Sequence, residues 1–197
     1  MLEVKDATIA VGNSVLITGL SFTAKDGQLT CITGPEGSGK TVLIRSLMGF
    51  LPVREGFVSV DGELLTVRSA HAFRSMMVYL PQQVQLLTHQ LREPEPVEAV
   101  PEEFAVWNGL LPPVVLDLVP EPLNAEDIFS LAEKMLREAA DKPIVIADEP
   151  TAYLPSDLTM RMIELLRGQA EAGKTVLIAS RKAQVLAYAD QVINIIK

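Results

Sequence analysis

The chain has 197 residues, of which 48% are hydrophobic and 21% are charged, and this balance predicts one packed globular domain, 1–197, rather than a disordered chain. The formal net charge of -8 argues against a surface that binds nucleic acid, and no apolar run is long enough to span a bilayer. We therefore expect a cytoplasmic protein that reaches a membrane only through a separate membrane partner.

Short strands joined by turns are predicted for the first sixty residues. The segment LEVKDATIAV alternates partly and ends at a Gly12-Asn13 turn, and VLITGLSFTA ends at another turn. The next run, LTCIT, suits a buried strand in which Cys31 is a small core residue. Asp61-Gly62 lies between the apolar runs of FVSVDGELL, and such a pair predicts a hairpin.

A helix and a strand are predicted on either side of that hairpin. In TVLIRSLMGF, the apolar residues at helical spacing are Val42, Leu43, Leu47 and Phe50. MMVYL suits a further buried strand, which stops at Pro81 because proline cannot donate to a ladder.

A proline-rich segment interrupts this pattern at residues 85–122. Seven of the thirteen prolines fall between residues 92 and 122, beside the acids of REPEPVEAVPEE. We expect a mostly exposed, irregular insertion with at most short helices. Trp107 lies within it, and either local packing or a partner surface would account for that side chain.

Helices alternate with strands in the rest of the chain. One helix, DLTMRMIELLRGQAEAG, ends at Gly173, and a short one is expected in KAQVLAYAD. The apolar runs PIVIAD, TVLIAS and QVINII suit strands. This alternation predicts an α/β fold around a mainly parallel sheet. A further amphipathic helix is indicated by Ile128, Leu131, Met135 and Leu136.

The strongest motif, GPEGSGKT, follows the LTCIT strand and opens the next helix. Its fixed positions match G-x-x-x-x-G-K-[ST], a loop whose backbone N–H groups close around phosphates. Lys40 would reach the β- and γ-phosphates, and the Thr41 hydroxyl would bind Mg²⁺. The alternative, a glycine-rich turn with a surface lysine, fits the strand–loop–helix context poorly. The predicted nucleotide-binding residues are Gly34, Pro35, Glu36, Gly37, Ser38, Gly39, Lys40, Thr41 and Val42.

Two adjacent acids end the strand in IVIADEP. A carboxylate at Asp148 would lie beside the phosphate loop, where it would hold Mg²⁺. Glu149 would orient and polarise an attacking water molecule. Acids are common at strand ends, so this signal depends on the phosphate loop for its specificity.

The order of these motifs resembles the ATPase subunits of ATP-binding cassette (ABC) transporters. IVIADEPTAYL and KTVLIASRKAQVLAYADQVINI are similar to that family's Walker B strand and terminal switch region, and YLPQQ places Gln82 at its glutamine loop. The resemblance implies a P-loop NTPase fold with an N-terminal antiparallel β region, a helical subdomain reduced at 85–122, and ATP and Mg²⁺ as ligands. The residues implied for catalysis are Lys40, Gln82 and Glu149, and those implied for the metal are Thr41, Asp148 and Gln82.

Four positions depart from the family's pattern. An aromatic residue that stacks on adenine is missing, because ATIAVGN offers only Val11, and the D-loop aspartate position is Pro155. Glu36 adds an acid to the phosphate loop, and we expect it to point to solvent. Arg181 replaces the switch histidine, and both pairing with a γ-phosphate and a solvated or ion-paired surface role remain open for it.

The segment LNAED, residues 123–127, aligns with the family's LSGGQ signature, which closes over the γ-phosphate held by the other protomer of a head-to-tail dimer. Ala125, Glu126 and Asp127 would obstruct that approach. Two like charges about 4 Å apart repel by about 1 kcal/mol in water and by about 4 kcal/mol at an effective dielectric constant of about 20. Asn124 followed by two acids is, in contrast, a favourable helix start, so the sequence favours a cap without a trans-acting role.

We therefore expect an ATP-binding subunit of an ABC-type transporter, which binds Mg-ATP and hydrolyses it together with a partner subunit. The alternative is a nucleotide-gated regulatory module that binds ATP with little or no hydrolysis. A P-loop kinase is disfavoured, because no arginine-rich lid is visible. The expected partners are ATP, a second copy or a second ABC subunit, and an integral membrane permease, which would hold the chain on the cytoplasmic face of the inner membrane.

Overall fold

The computed structural model describes residues 1–82 and 124–195. None of the helices in these two ranges is long and apolar enough to cross a membrane. The predicted insertion at 85–122 and Leu123 of LNAED lie outside the described residues. The strands are β1 (Leu2–Val11), β2 (Ser14–Ala24), β3 (Leu29–Thr33), β4 (Glu55–Val60), β5 (Glu63–Leu64), β6 (Met77–Leu80), β7 (Ile144–Asp148), β8 (Thr175–Ala179) and β9 (Gln191–Asn194). The helices are α1 (Lys40–Leu47), α2 (Ala70–Ser75), α3 (Ala125–Glu138), α4 (Ser156–Glu171) and α5 (Ala183–Tyr188).

The larger sheet is parallel and has the strand order β6-β7-β8-β3-β9. Because side chains alternate across a strand, Ile144 and Ile146 of β7 enter one core while Val145 and Ala147 enter the other. Helices α3, α4 and α5 contribute to the second core. Both faces of the central strands are therefore buried, which explains why they read as continuous apolar runs.

A smaller, antiparallel sheet with the strand order β2-β1-β4-β5 covers the first core. Leu2 and Ile9 of β1 enter this core from one side. Helix α1 lies between the two sheets and contributes Leu43, Ile44 and Leu47. The prediction of a mainly parallel sheet beside an N-terminal antiparallel region is confirmed.

Two local features differ from the sequence predictions. Phe50 was expected on the core face of α1, but the helix ends at Leu47 and the Phe50 side chain is 59% exposed. The Phe50 N–H donates to the carbonyl oxygen of Arg45 at 2.9 Å, and this contact closes the helix end. Helix α2 was not predicted, because six residues are too few to show a helical period.

Candidate functional site

The candidate site lies where three neighbouring parallel strands, β7, β8 and β3, reach their carboxyl ends. Ligands of open α/β sheets bind at this edge. A cleft of about 370 Å³ opens there. It is lined by Leu16, Glu36, Gly37, Gly39, Lys40, Thr41, Val42, Gln82, Glu149 and Arg181.

The phosphate loop joins β3 to α1, and its lysine is folded back onto the loop. Lys40 is 8% exposed, and its Nζ donates hydrogen bonds to the carbonyl oxygens of Gly34 at 2.9 Å and Pro35 at 3.0 Å. Helix α1 begins at Lys40 without a side-chain hydrogen bond at its cap, so its first N–H groups lack intrahelical partners. An uncapped helix start beside a lysine is the arrangement that binds phosphate groups.

The base of the loop is closed by tight contacts. A Cβ on Gly34 would lie 2.6 Å from the Ile195 carbonyl oxygen and 2.8 Å from Ser38 Oγ, so only glycine fits. Ser38 is fully buried, and its hydroxyl has no hydrogen-bond partner among the described residues. Of the nine predicted nucleotide-binding residues, six line the cleft, and Gly34, Pro35 and Ser38 do not.

Asp148, the last residue of β7, has a buried carboxylate with one unpaired oxygen atom among the described residues. It is 1% exposed, and its Oδ1 has no hydrogen-bond partner among the described residues. Burial raises the pKa of the Asp148 carboxyl, while the Thr41 hydroxyl and the charges of Arg45 and Lys40 act in the opposite direction. Hydroxyl, carboxylate and amide oxygens are ligands that Mg²⁺ accepts. Thr41, Asp148 and Gln82 therefore fit the predicted metal site.

Glu149 follows Asp148, and its backbone is held in an uncommon conformation. Its φ is +47°, and its N–H donates to the carbonyl oxygen of Ala179 in β8 at 2.9 Å. Such conformations in non-glycine residues are concentrated at functional sites. The side chain is 11% exposed, and its Oε1 lies 3.6 Å from Arg181 Nε. The candidate general base thus carries an ion pair in this structure.

Arg181 also pairs with the phosphate loop. Its Nη1 lies 3.2 Å from Oε2 of Glu36, whose side chain is 87% exposed. The prediction that Glu36 points to solvent is therefore confirmed. Of the roles left open for Arg181, the structure shows an ion-paired one, with two acids at the same time.

Lys182, the next residue, anchors the segment that follows β7. Its Nζ donates to the carbonyl oxygens of Thr151 and Leu154, the second at 3.2 Å, and to Thr159 Oγ1 at 3.1 Å. These bonds fix the segment after Glu149 relative to the end of β8. Sequence reasoning missed this residue, since a lysine beside a switch position gives no signal of what it binds.

The structure also places Val11 and Pro155, the two other positions that depart from the family's pattern. Val11, the sequence candidate beside adenine, is 49% exposed and does not line the cleft. Leu16 of β2 lines it instead, and a Cβ on Gly39 would lie 3.3 Å from Leu16 Cβ. Pro155, at the D-loop aspartate position, is the N-cap residue of α4.

The described part of LNAED forms a helix cap, as predicted. Asn124 is the N-cap residue of α3, and its Oδ1 accepts a hydrogen bond from the Asp127 N–H at 2.9 Å. Glu126 lies 3.6 Å from Arg161 of α4, whose guanidinium is 4.3 Å from the Phe129 ring centre. Glu126 therefore links α3 to α4, and both acids at this helix start complement the helix dipole.

Comparison with known protein families agrees with this geometry. The family model described as ABC transporter matches residues 17–152. The chain is 27% identical, over 98% of its length, to a mycobactin import ATP-binding/permease protein of Mycolicibacterium thermoresistibile. It is 28% identical, over 88% of its length, to the ATP-dependent lipid A-core flippase of Burkholderia thailandensis. The chain spans only 35% and 31% of the lengths of these two proteins.

Solved structures of low sequence identity share the fold. A nucleotide-free ATP-binding cassette from an ABC transporter has a TM-score of 0.72 at 20% identity, covering 98% of this chain and 87% of that one. A dimeric ATP-binding cassette in a post-hydrolysis state, bound to ADP and Pi, has a TM-score of 0.65 at 21% identity, covering 99% and 94%. The family model spans more than half of the chain, and its match includes the phosphate loop. The chain therefore belongs to the ABC transporter family, as an ATP-binding domain with the P-loop NTPase fold.

Proposed function

We propose that this chain binds Mg-ATP at the phosphate loop and hydrolyses it, together with a partner subunit, as the ATP-binding subunit of an ABC-type transporter. The observation that carries the proposal is that Lys40, Asp148 and Glu149 meet at one edge of the parallel sheet. A lysine in a phosphate loop supplies binding, and two differently buried carboxylates suit metal binding and water activation.

Nucleotide binding would exchange contacts that the phosphate loop now makes with itself. Lys40 Nζ would leave the carbonyl oxygens of Gly34 and Pro35 for β- and γ-phosphate oxygens. The loop N–H groups and the start of α1 would supply further positive potential.

Hydrolysis would use the residues after β7. Thr41, Asp148 and Gln82 would hold a Mg²⁺ ion, which would neutralise part of the phosphate charge. Glu149 would accept a hydrogen bond from the attacking water and hold it toward the γ-phosphate. Its low exposure shields this carboxylate from bulk solvent, and electrostatic interactions are stronger away from water.

A second candidate function, a regulatory module that binds ATP with little hydrolysis, is favoured by one contact. Arg181 lies 3.6 Å from Glu149, so this ion pair occupies the carboxylate that would otherwise hold the attacking water. The acids at the start of α3 would also repel a γ-phosphate presented by another protomer.

We further propose a dimer, with a second copy or a second ABC subunit, and an integral membrane permease as partners. One relative is by name an ATP-binding/permease protein, and one structural neighbour is a dimeric cassette. Such a permease would hold the chain at the cytoplasmic face of the inner membrane. The net charge of -8 disfavours nucleic acid as a ligand.

Binding and turnover measured separately distinguish these functions. Lys40→Ala should weaken Mg-ATP binding by about 10- to 100-fold, since it removes hydrogen bonds to charged phosphate oxygens. Glu149→Gln should keep binding and lower hydrolysis by about 100-fold or more, because a general base contributes about that factor. Calorimetric titration and phosphate release provide the two readouts. Lys134→Ala, an exposed lysine of α3, is the control and should change neither.

The outcomes select between the two candidates. Binding without turnover above the Glu149→Gln level, even beside a candidate partner, would favour the regulatory module. Brisk turnover by the purified chain alone would remove the requirement for a partner. Failure of the wild-type chain to bind Mg-ATP would reject both functions.

A further inference from the structure

The segment that begins with Glu149 is attached to the end of β8 at two points. The Glu149 N–H donates to the carbonyl oxygen of Ala179, the last residue of β8, at 2.9 Å. Further along the same segment, the Thr151 carbonyl oxygen accepts a hydrogen bond from Lys182 Nζ. Both ends of this short piece of backbone are therefore held by residues at or just after the end of β8.

The Lys182 ammonium group makes three hydrogen bonds, all with the segment after β7 and with α4. Besides Thr151, it donates to the Leu154 carbonyl oxygen at 3.2 Å and to Thr159 Oγ1 at 3.1 Å. The Thr159 hydroxyl donates in turn to the Leu154 carbonyl oxygen at 3.2 Å. We call the three bonds of the ammonium group the Lys182 clamp. All three acceptor residues are buried, so water does not readily replace the ammonium group.

The backbone at Glu149 needs such support from outside its own segment. Its φ of +47° is uncommon for a residue with a side chain, and such conformations persist only where the surroundings hold them. Within the segment, the Ala152 N–H donates to the Glu149 carbonyl oxygen at 3.0 Å and the Leu154 N–H to that of Thr151 at 3.2 Å. These two bonds shape the segment but do not fix its position relative to β8. The Lys182 clamp supplies that attachment.

We propose that Lys182 is a positioning residue for hydrolysis, whose clamp holds the segment after β7 so that the Glu149 carboxylate faces the cleft. Glu149 lines the cleft, whereas Lys182 is not among the described residues that do so. Lys182 therefore acts through Glu149 and not on the nucleotide. This inference rests on the proposed function, since it takes Glu149 as the group that holds the attacking water.

A double-variant cycle with Glu149 tests this role. We would measure phosphate release and calorimetric Mg-ATP binding for the wild-type chain, Lys182→Met, Glu149→Gln and the double variant. Lys182→Met should lower kcat by about 10- to 100-fold, because a small displacement of a reacting group costs up to about 100-fold. It should leave the Kd for Mg-ATP within about twofold, because an interaction that acts only on the chemical step does not change binding. In the Glu149→Gln background the same change should lower turnover by less than about twofold, because the group that it positions is already lost.

Hydrogen exchange tests the clamp without turnover. The amides of Ala152 and Leu154 are hydrogen-bonded inside the clamped segment, so they exchange when that segment opens. Lys182→Met should speed their exchange by at least about fivefold, because local opening becomes easier once the clamp is removed. Exchange of the amides in β8 should stay as it is in the wild type.

Lys174 offers a matched control at the opposite end of β8. It directly precedes that strand, and its Nζ donates to the carbonyl oxygen of Ala139 at 3.3 Å. Burial lowers the pKa of Lys174, as it lowers the pKa of Lys182. Lys174→Met also removes a hydrogen bond from a lysine to a carbonyl group, but away from the cleft. It should leave kcat and the exchange of the Ala152 amide unchanged, at a temperature where thermal melts show every variant to be folded.

The outcomes separate the role of Lys182 from the proposed function. If Lys182→Met lowers turnover by the same factor in the wild-type and Glu149→Gln backgrounds, its effect is structural alone and the positioning role is wrong. Unchanged exchange of the Ala152 and Leu154 amides, or weaker Mg-ATP binding at unchanged kcat, also overturns that role. If the wild-type chain releases no phosphate, the proposed hydrolysis fails. Exchange then decides the clamp by itself, since faster exchange in Lys182→Met supports it and unchanged exchange rejects it.

Discussion

Lys182 donates three hydrogen bonds, one for each N–H of its ammonium group. The acceptors lie after β7 and in α4, whereas Lys182 itself follows β8. It therefore keeps Glu149 and Arg181 on segments that are fastened to each other. Burial lowers the pKa of Lys182, although Glu149 acts in the opposite direction, so desolvation offsets part of this stabilisation.

Lys182→Met should lower the free energy of unfolding by about 1 kcal/mol, because the aliphatic stem remains but carbonyl oxygens lose their donor. Urea unfolding measures this loss, provided that the dependence of the unfolding free energy on urea concentration is the same in both proteins. Lys134→Met, on the exposed surface of α3, is the control and should stay within about 0.5 kcal/mol of the wild type. Equal stability of the two variants would show that these hydrogen bonds contribute nothing net.

At the residue scale, Lys40, Thr41 and Asp148 could be assigned to one site from the sequence because each belongs to a local motif. The local sequence is enough to place a loop between a strand and a helix, or an acid at the end of a strand. The partners of Arg181 and the place of Leu16 could not be predicted in this way. They depend on which strands become neighbours, and the chain encodes that order only through long-range packing.

At the scale of elements, β4 passes very close to an irregular part of β1. The register between these strands shifts between Lys5 and Thr8, and Asp6 has φ +48°. Gly56 of β4 lies against this bulge with φ +75°, and a Cβ there would be 2.2 Å from the Lys5 carbonyl oxygen and 2.4 Å from that of Asp6. The bulge and the glycine therefore depend on each other.

Gly56→Ala should lower the free energy of unfolding by about 2–5 kcal/mol, because a left-handed penalty of about 1–2 kcal/mol adds to an overpacking term of about 1–3 kcal/mol. Gly62→Ala is the matched control, since Gly62 has φ +83° and nothing within 4 Å of its Cβ position. That variant should lose only the left-handed penalty, about 1–2 kcal/mol. Denaturant melts of both variants give the difference, and equal losses would mean that β1 yields to the extra methyl group.

Elements were predictable where periodicity or turn chemistry was strong. The Asp61-Gly62 hairpin, the parallel strands and the Asn124 cap are all present in the structure. The end of α1 was not predictable from apolar spacing, because Phe50 continues the period although the helix already ends at Leu47. Helix α2 lacked enough residues to show a period at all.

At the scale of the whole molecule, the start of α3 stabilises the fold through two contacts. The same residues would hinder a head-to-tail dimer. Asn124 caps the helix and Glu126 pairs with Arg161. By its resemblance to the family's signature, this segment would face a γ-phosphate held by the other protomer of the proposed dimer, and these acids would repel it. We therefore expect the chain to be poor at completing a partner's site.

Replacing residues 124–127 by the signature residues SGGQ tests that expectation. Per-chain ATPase activity should rise at least about fivefold and become concentration dependent, because a repulsion of about 1 kcal/mol or more is removed. Asn124→Ser alone keeps a capping residue and both acids, so it should leave activity unchanged. If the fully restored chain is no faster, the altered signature is not what limits turnover.

The strand order also decides when during synthesis the nucleotide site can exist. β3, which leads into the phosphate loop, takes both of its sheet neighbours from β8 and β9, about 145 residues or more further along the chain. Gly34 is enclosed by the carbonyl group of Ile195. Contacts this distant in sequence form late. During synthesis the phosphate loop therefore emerges well before the strands that support it. Nucleotide binding can stabilise the fold only after β8 and β9 have joined the sheet.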